Sequence, residues 1–146
     1  MNFDTYWGQL VDRVYKEKEE LTGADEVFYR LTCIRGETMV SGTEAYLERR
    51  YPEFAADMRV LDESGLQDLA GEFRKARIVL FGEQPLDPDQ VADIYMLLLD
   101  EDPSMAAIQE QLDAISERVI GKIDALDDYR MDYGVRNGLF EKDTES

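Results

Sequence analysis

Apolar residues recur along this chain at steps of three and four, the spacing of one face of an α-helix, and no run of period-two alternation with hairpin signals interrupts them. Phe3, Trp7, Leu10 and Val14 open the pattern, which predicts a first helix closed by Leu21-Thr22-Gly23. A second is expected from Asp25, with Val27, Phe28, Leu31 and Ile34 inward, stopping near Gly36. After a Ser41-Gly42 break, Tyr46, Leu47 and Tyr51 fit a short helix that yields before Pro52, because proline disfavours α geometry in the residue preceding it. Another short helix is expected from Glu53 to Asp62.

Ser64 to Gln67 reads as a capping box that opens a helix burying Leu66, Leu69, Phe73, Ala76 and Leu80, with Gly82 as its stop. Asp87-Pro88-Asp89-Gln90 is a strong helix start, an N-cap carboxylate followed by proline in the first turn and a second acid favoured by the helix dipole. Val91, Ile94, Tyr95 and Leu98 continue it. Asp102-Pro103 repeats the signal, and Met105, Ile108, Leu112, Ile115, Val119, Ile123, Leu126 and Tyr133 then form one apolar seam, about 45 Å long at the helical rise, with Gly121 as a point of kinking or breakage. The expectation is an all-α fold: a single compact multi-helix domain over residues 1–140 with a long acidic C-terminal helix or helix pair, and a frayed acidic tail at 141–146.

With 44% apolar and 10% aromatic residues the chain can bury a core despite a net charge of −17, so it is not of the acidic, core-poor disordered class. One cysteine, Cys33, excludes an internal disulfide, and the lack of histidine removes most zinc sites and all Ser–His or Cys–His catalysis. Cys33 reads as a small buried apolar residue. No basic leader and no apolar run approaching a membrane span is present, so neither signal peptide nor membrane segment is expected and the cytoplasm is the expected compartment. A pI near 4.2 sets the protein against direct binding of nucleic acid or anionic membrane, both polyanions, and favours basic partners.

That charge is regional. Between Ile78 and Glu117 lie ten carboxylates and no lysine or arginine, whereas Arg49, Arg50, Arg59, Arg74, Lys75 and Arg77 crowd the stretch before it. At 100° per residue, Glu110, Asp113, Glu117, Asp124 and Asp128 fall in one narrow stripe opposite the apolar seam. A merely solvated face intersperses bases, which relieve repulsion. An array of fixed carboxylates instead resembles a phosphate backbone and suits a cationic, DNA-binding surface. The candidate partner-binding residues are therefore Asp87, Asp89, Asp93, Asp100, Glu101, Asp102, Glu110, Asp113, Glu117, Asp124 and Asp128.

Asp100-Glu101-Asp102 is the densest acid run, but three consecutive side chains cannot converge on one ion and no EF-hand pattern is present, so no metal, no cofactor and no enzymatic activity is expected. Arg49-Arg50 reads as a solvated pair, as ion-pair partners of Glu48 and Glu53, or as a basic spot on one subunit able to meet the acidic face of another. Tyr6 and Trp7 read as core or dimer contacts, and Tyr129, Tyr133 and Phe140 as residues able to bury an interface between two copies.

Four stretches, DEVFYRLTCIRGE (25–37), SGTEAYLERRYPEF (41–54), LDESGLQDLAGEFRKARIVLFG (61–82) and LDAISERVIGKIDALDDY (112–129), together resemble a small all-helical family of uncharacterised bacterial domains that includes a dimeric DNA-mimic protein. The family's Asn-Gly-Gly-Phe stands here as Val40-Ser41-Gly42-Thr43, sharing only Gly42. The resemblance implies an all-helical domain, favours a homodimer, and is consistent with mimicry. Three functions stay open: a DNA mimic that inhibits a basic transcription regulator or nuclease, an immunity protein against a cationic toxin, and a structural or scaffold protein whose acidity only confers solubility.

Overall fold

In a computed structural model, which describes residues 1–142, the described residues form seven α-helices and no strand. They are α1 (Phe3–Tyr15), α2 (Gly23–Ser41), α3 (Thr43–Arg49), α4 (Phe54–Glu63), α5 (Gln67–Phe81), α6 (Pro88–Leu99) and α7 (Ala106–Arg136), with 3-10 turns at Tyr51–Glu53 and Pro103–Met105 leading into α4 and α7. The expected all-α class and the long C-terminal helix are both present. Of the tail expected to fray, Asp143 to Ser146 lie outside the described residues, while the Glu141 N–H donates to the carbonyl of Met1 at 2.8 Å.

Several boundaries differ from those expected, each for a local reason. Helix α1 stops at Tyr15 because Lys16 to Glu20 offer nothing to bury. Lys18 turns left-handed at φ +55°, and Arg13 folds over to pair with Glu19. Helix α2 passes through Gly36 to Ser41, since the following turn buries Thr38, and the stop falls instead on Gly42 at φ +97°. The Ser64–Gln67 box does not form: the Ser64 N–H is consumed closing α4 on the carbonyls of Val60 and Leu61, and Gln67 Nε2 donates to the Asp62 carbonyl. A reciprocal box forms at the start of α6, where Asp87 Oδ1 accepts from the Gln90 N–H at 2.8 Å and Gln90 Oε1 from the Asp87 N–H at 2.9 Å. Helix α7 runs unbroken through Gly121 for 31 residues, about 46 Å.

The seam of α7 packs mainly on α5 and α2, and Leu112, Ile115, Val119, Ile123 and Leu126 enter a core shared with Leu31, Tyr46, Met58, Leu61 and Phe73. A second, aromatic core holds Tyr6, Leu10, Phe28 and Phe140, with Phe3, Trp7 and Tyr133 against it. Tyr6 is thus core, as one reading of the sequence held. Phe140, expected to serve an interface between copies, is instead buried in its own chain; Gly134 makes the room, since a Cβ there would come within 2.2 Å of the Phe140 ring. Cys33 is only half-buried, and burial pushes its thiol up.

At the base of the first core sits a fully buried carboxylate, Asp57. Arg50 meets it with two near-parallel hydrogen bonds, Nε at 2.8 Å and Nη2 at 2.9 Å, Arg30 adds one at 3.0 Å, and the Tyr46 hydroxyl donates at 2.8 Å. Arg50 therefore pairs with neither Glu48 nor Glu53, contrary to expectation, and Arg49 reaches Glu37 at 2.8 Å. Glu53 is taken by Arg30.

Burial and the neighbouring Asp57 charge raise the Tyr46 phenol well above its ordinary value of 10.0. A folded-state value above the unfolded one gives stability that is complete below pH about 10 and is lost as pH rises past it toward the folded value. Denaturant unfolding of Tyr46→Phe should therefore show a shallower alkaline loss of stability than wild type above pH about 10, by up to about 1.4 kcal/mol per pH unit. Equal slopes would mean that Tyr46 ionises alike in both states.

Candidate partner-binding surface

The phase of α7 is set by its seam: with Leu112, Ile115, Val119 and Leu126 inward, Glu110, Asp113, Glu117, Asp124 and Asp128 are forced outward, and all five are exposed. On α6, Val91 and Leu98 face in, which leaves Asp89 and Asp93 exposed on the opposite side. Asp100, Glu101 and Asp102 belong to the short link from α6 to α7, between the two acidic helices.

Two of the eleven acids have structural duties. Asp87 caps α6, and Asp102 caps the turn into α7, accepting from the Ser104 hydroxyl at 2.6 Å and its N–H at 3.0 Å. Those bonds hold the Asp102 carboxyl below the usual carboxylate range. Asp113 accepts from Gln109 Nε2 at 2.8 Å.

Glu101 is different in kind. The Asp102 N–H bonds to the Leu97 carbonyl and the Glu101 N–H to that of Leu98, which closes α6 with Glu101 in the left-handed position at φ +54°, the place glycine ordinarily takes. A β-carbon in that region costs about 1 kcal/mol. Only one other non-glycine residue among those described, Lys18, shares this backbone sign. No sequence signal announced it.

Pairing within the described residues is absent from these acids, as it is from Asp4, Glu17, Glu20, Glu44, Glu48, Glu63, Asp68 and Glu83. Among the described residues, none of the eleven joins an ion pair, while twelve of the sixteen lysine and arginine side chains are paired with other carboxylates. The three arginines of α7 are engaged away from the stripe: Arg118 reaches Glu72 on α5, Arg130 turns to Asp127 and to Thr32 on α2, and Arg136 to Asp132. Aromatic rings engage a further cation, since the Arg77 guanidinium lies 4.2 Å from the Tyr51 ring and 4.6 Å from that of Phe54.

Like charges three or four apart weaken a helix by a few tenths of a kcal/mol per pair. Glu110/Asp113, Asp113/Glu117 and Asp124/Asp128 are three such pairs, so the stripe is maintained against the helix's own stability.

Other chemistry has less support. Among the described residues no three of the carboxylate or thiol side chains are placed to hold a metal ion. A cleft of about 240 Å³ opens beside Val14, Leu21, Tyr29 and the Arg30–Arg50 pair, but both guanidiniums are already engaged by Asp57. No helix among those described is long and apolar enough to cross a membrane. Comparison of the chain with protein-family models, with curated proteins and with solved structures returned no match.

Proposed function

We propose that this chain is an acidic protein-binding module that mimics DNA: it occupies the nucleic-acid-binding surface of a basic partner, a transcription regulator or a nuclease, and so inhibits it. The observation that carries the reading is the segregation of charge: among the described residues none of the eleven carboxylates on α6, α7 and their link is met by a base, while twelve bases, three of them on α7, pair with other carboxylates. The strained backbone at Glu101 supports it, because a carboxylate is kept where glycine is less costly. Fixed charge left without a counter-charge costs self-repulsion and becomes favourable when a cationic surface arrives.

Charge density bounds the geometry of recognition. From Glu110 to Asp128 the stripe rises about 27 Å and carries five charges, sparser than one strand of DNA with a charge about every 3.4 Å. Helix α7 alone is a poor imitation, so the acids of α6 and the link have to contribute to the same contact.

The test is capture from host-cell lysate at two salt concentrations by wild type and by a variant with Glu110→Gln, Asp113→Asn, Glu117→Gln, Asp124→Asn and Asp128→Asn, followed by elution with duplex DNA. We expect a basic DNA-binding protein retained by wild type at low salt, released by DNA, and lost with the variant. The variant itself should be more stable to denaturant than wild type by about 1 kcal/mol, from the three relieved like-charge pairs. Retention that ignores both the substitutions and DNA would end the mimicry reading and leave the acids as a solubility feature.

A further inference from the structure

Helix α6 buries only one side, against α3 and α5. With Val91 and Leu98 inward, Ala92, Met96 and Leu99 fall at i, i+4 and i+7 on a neighbouring stripe that is open to solvent, Met96 being 51% and Leu99 56% exposed. Directly beside that stripe, Asp89, Asp93 and Asp100 line up on the helix's outermost side. α7 repeats the pairing, where Ile120, 61% exposed, borders Glu117 and Asp124. Met96, Leu99 and Ile120 are three of the nine large apolar side chains left exposed among the described residues, and each of the three lies beside an acid.

Resting on the reading of the acidic faces as a partner surface, we propose that the Ala92–Met96–Leu99 stripe is the seat for an amphipathic cationic helix of the partner, apolar side on Met96 and Leu99, lysines or arginines on Asp89, Asp93 and Asp100. Charge complementarity selects this occupant. A second copy would bring its own acids against these in a protein of net charge −17, and a nucleic acid would be repelled. A neutral apolar helix would bury the edge of the acidic row with nothing to pair it. The apolar anchor supplies affinity that survives salt, and the acids supply orientation and rate of encounter.

The experiment titrates the full chain with two synthetic helical peptides of equal lysine number, one with leucines along its apolar side and one with alanines there, followed by fluorescence anisotropy. Wild type should prefer the leucine peptide by about tenfold, and Met96→Ser with Leu99→Ser should abolish that preference while leaving the alanine peptide's binding unchanged. Met96→Gln alone, a smaller change, should reduce it partway. A preference that persists in the double variant, or that wild type never shows, overturns the proposal. Binding of both peptides that is indifferent to Asp89→Asn, Asp93→Asn and Asp100→Asn would instead sink the acidic-surface reading, whatever the leucine preference. Wild type sedimenting as a dimer that the double variant dissociates would assign the stripe to a second copy and overturn the proposal as well.

Discussion

Asp57→Ala should lower the stability of the folded chain by about 3–5 kcal/mol, the largest loss expected from any single substitution of a charged residue. The carboxylate has no exposure to water and is met by Arg50 through two hydrogen bonds, by Arg30 through one and by the Tyr46 hydroxyl. Removing it strands positive charge whose hydration was given up on folding, and it strands the Tyr46 hydroxyl too. Arg30 keeps Glu26 and Glu53 as partners, so Arg50 bears most of the damage. Thermal unfolding should shift down by on the order of 10 °C, taking about 2–4 °C per kcal/mol for a chain of this size. The origin of the loss is separable. Asp57→Met combined with Arg50→Met and Tyr46→Phe removes the carboxylate with its two-bond cation and its hydroxyl, leaving Arg30 to Glu26 and Glu53, and should recover more than half of it, because well-packed apolar side chains commonly match a buried ion pair. A deficit under about 1 kcal/mol for Asp57→Ala would show the network to be dispensable.

Phe28→Ala should cost a comparable amount, about 3–5 kcal/mol, and its signature is local. Phe28 is the hub of the aromatic core, with ring centroids 6.0 Å from Phe3, 5.6 Å from Tyr6, 6.4 Å from Trp7 and 5.3 Å from Phe140. Helix α1 holds to the rest through this core and through Asp25, which accepts from the Tyr6 hydroxyl at 2.6 Å and from Arg13 at 3.1 Å. Truncating the hub opens a cavity that those rings cannot close. Trp7, the one tryptophan of the chain, also stacks on Tyr29 at 5.8 Å, so its emission should move to the red as α1 loosens, while the helical signal from α3 to α7 stays. An unchanged Trp7 spectrum beside wild-type stability would refute the hub role.

What the residue pattern foretold and what it did not follow one physical division. Features that depend on neighbours in the chain were legible: the start of α6 at Asp87-Pro88, the turn before Pro52, and the outward phase of the five acids on α7. Glycines misled wherever packing outweighs propensity. Gly36 and Gly121 each cost a helix about 1 kcal/mol, too little to halt one anchored by Ile34 and Thr38 or by Val119 and Ile123. Ser64 was claimed by the helix ending before it, a competition that spacing alone does not reveal. The Asp57 centre joins residues 27 positions apart, Arg30 and Asp57, and lay beyond any local rule. One signal was nevertheless there: Asp57 falls on the face of α4 defined by Phe54, Met58 and Leu61, and a charge in an apolar stripe requires a partner. Glu101 gave none, since its left-handed backbone occupies a position without glycine.

The division between α7's inward seam and its outward stripe bears on how such a protein can change over generations. Glu110, Asp113, Glu117, Asp124 and Asp128 neither pack in the core nor pair with a base, so exchanging, shifting or losing one of them leaves the packing of Leu112 to Leu126 untouched. Selection can therefore rewrite the charged face without passing through misfolded intermediates, and one helical frame can carry many different charge patterns.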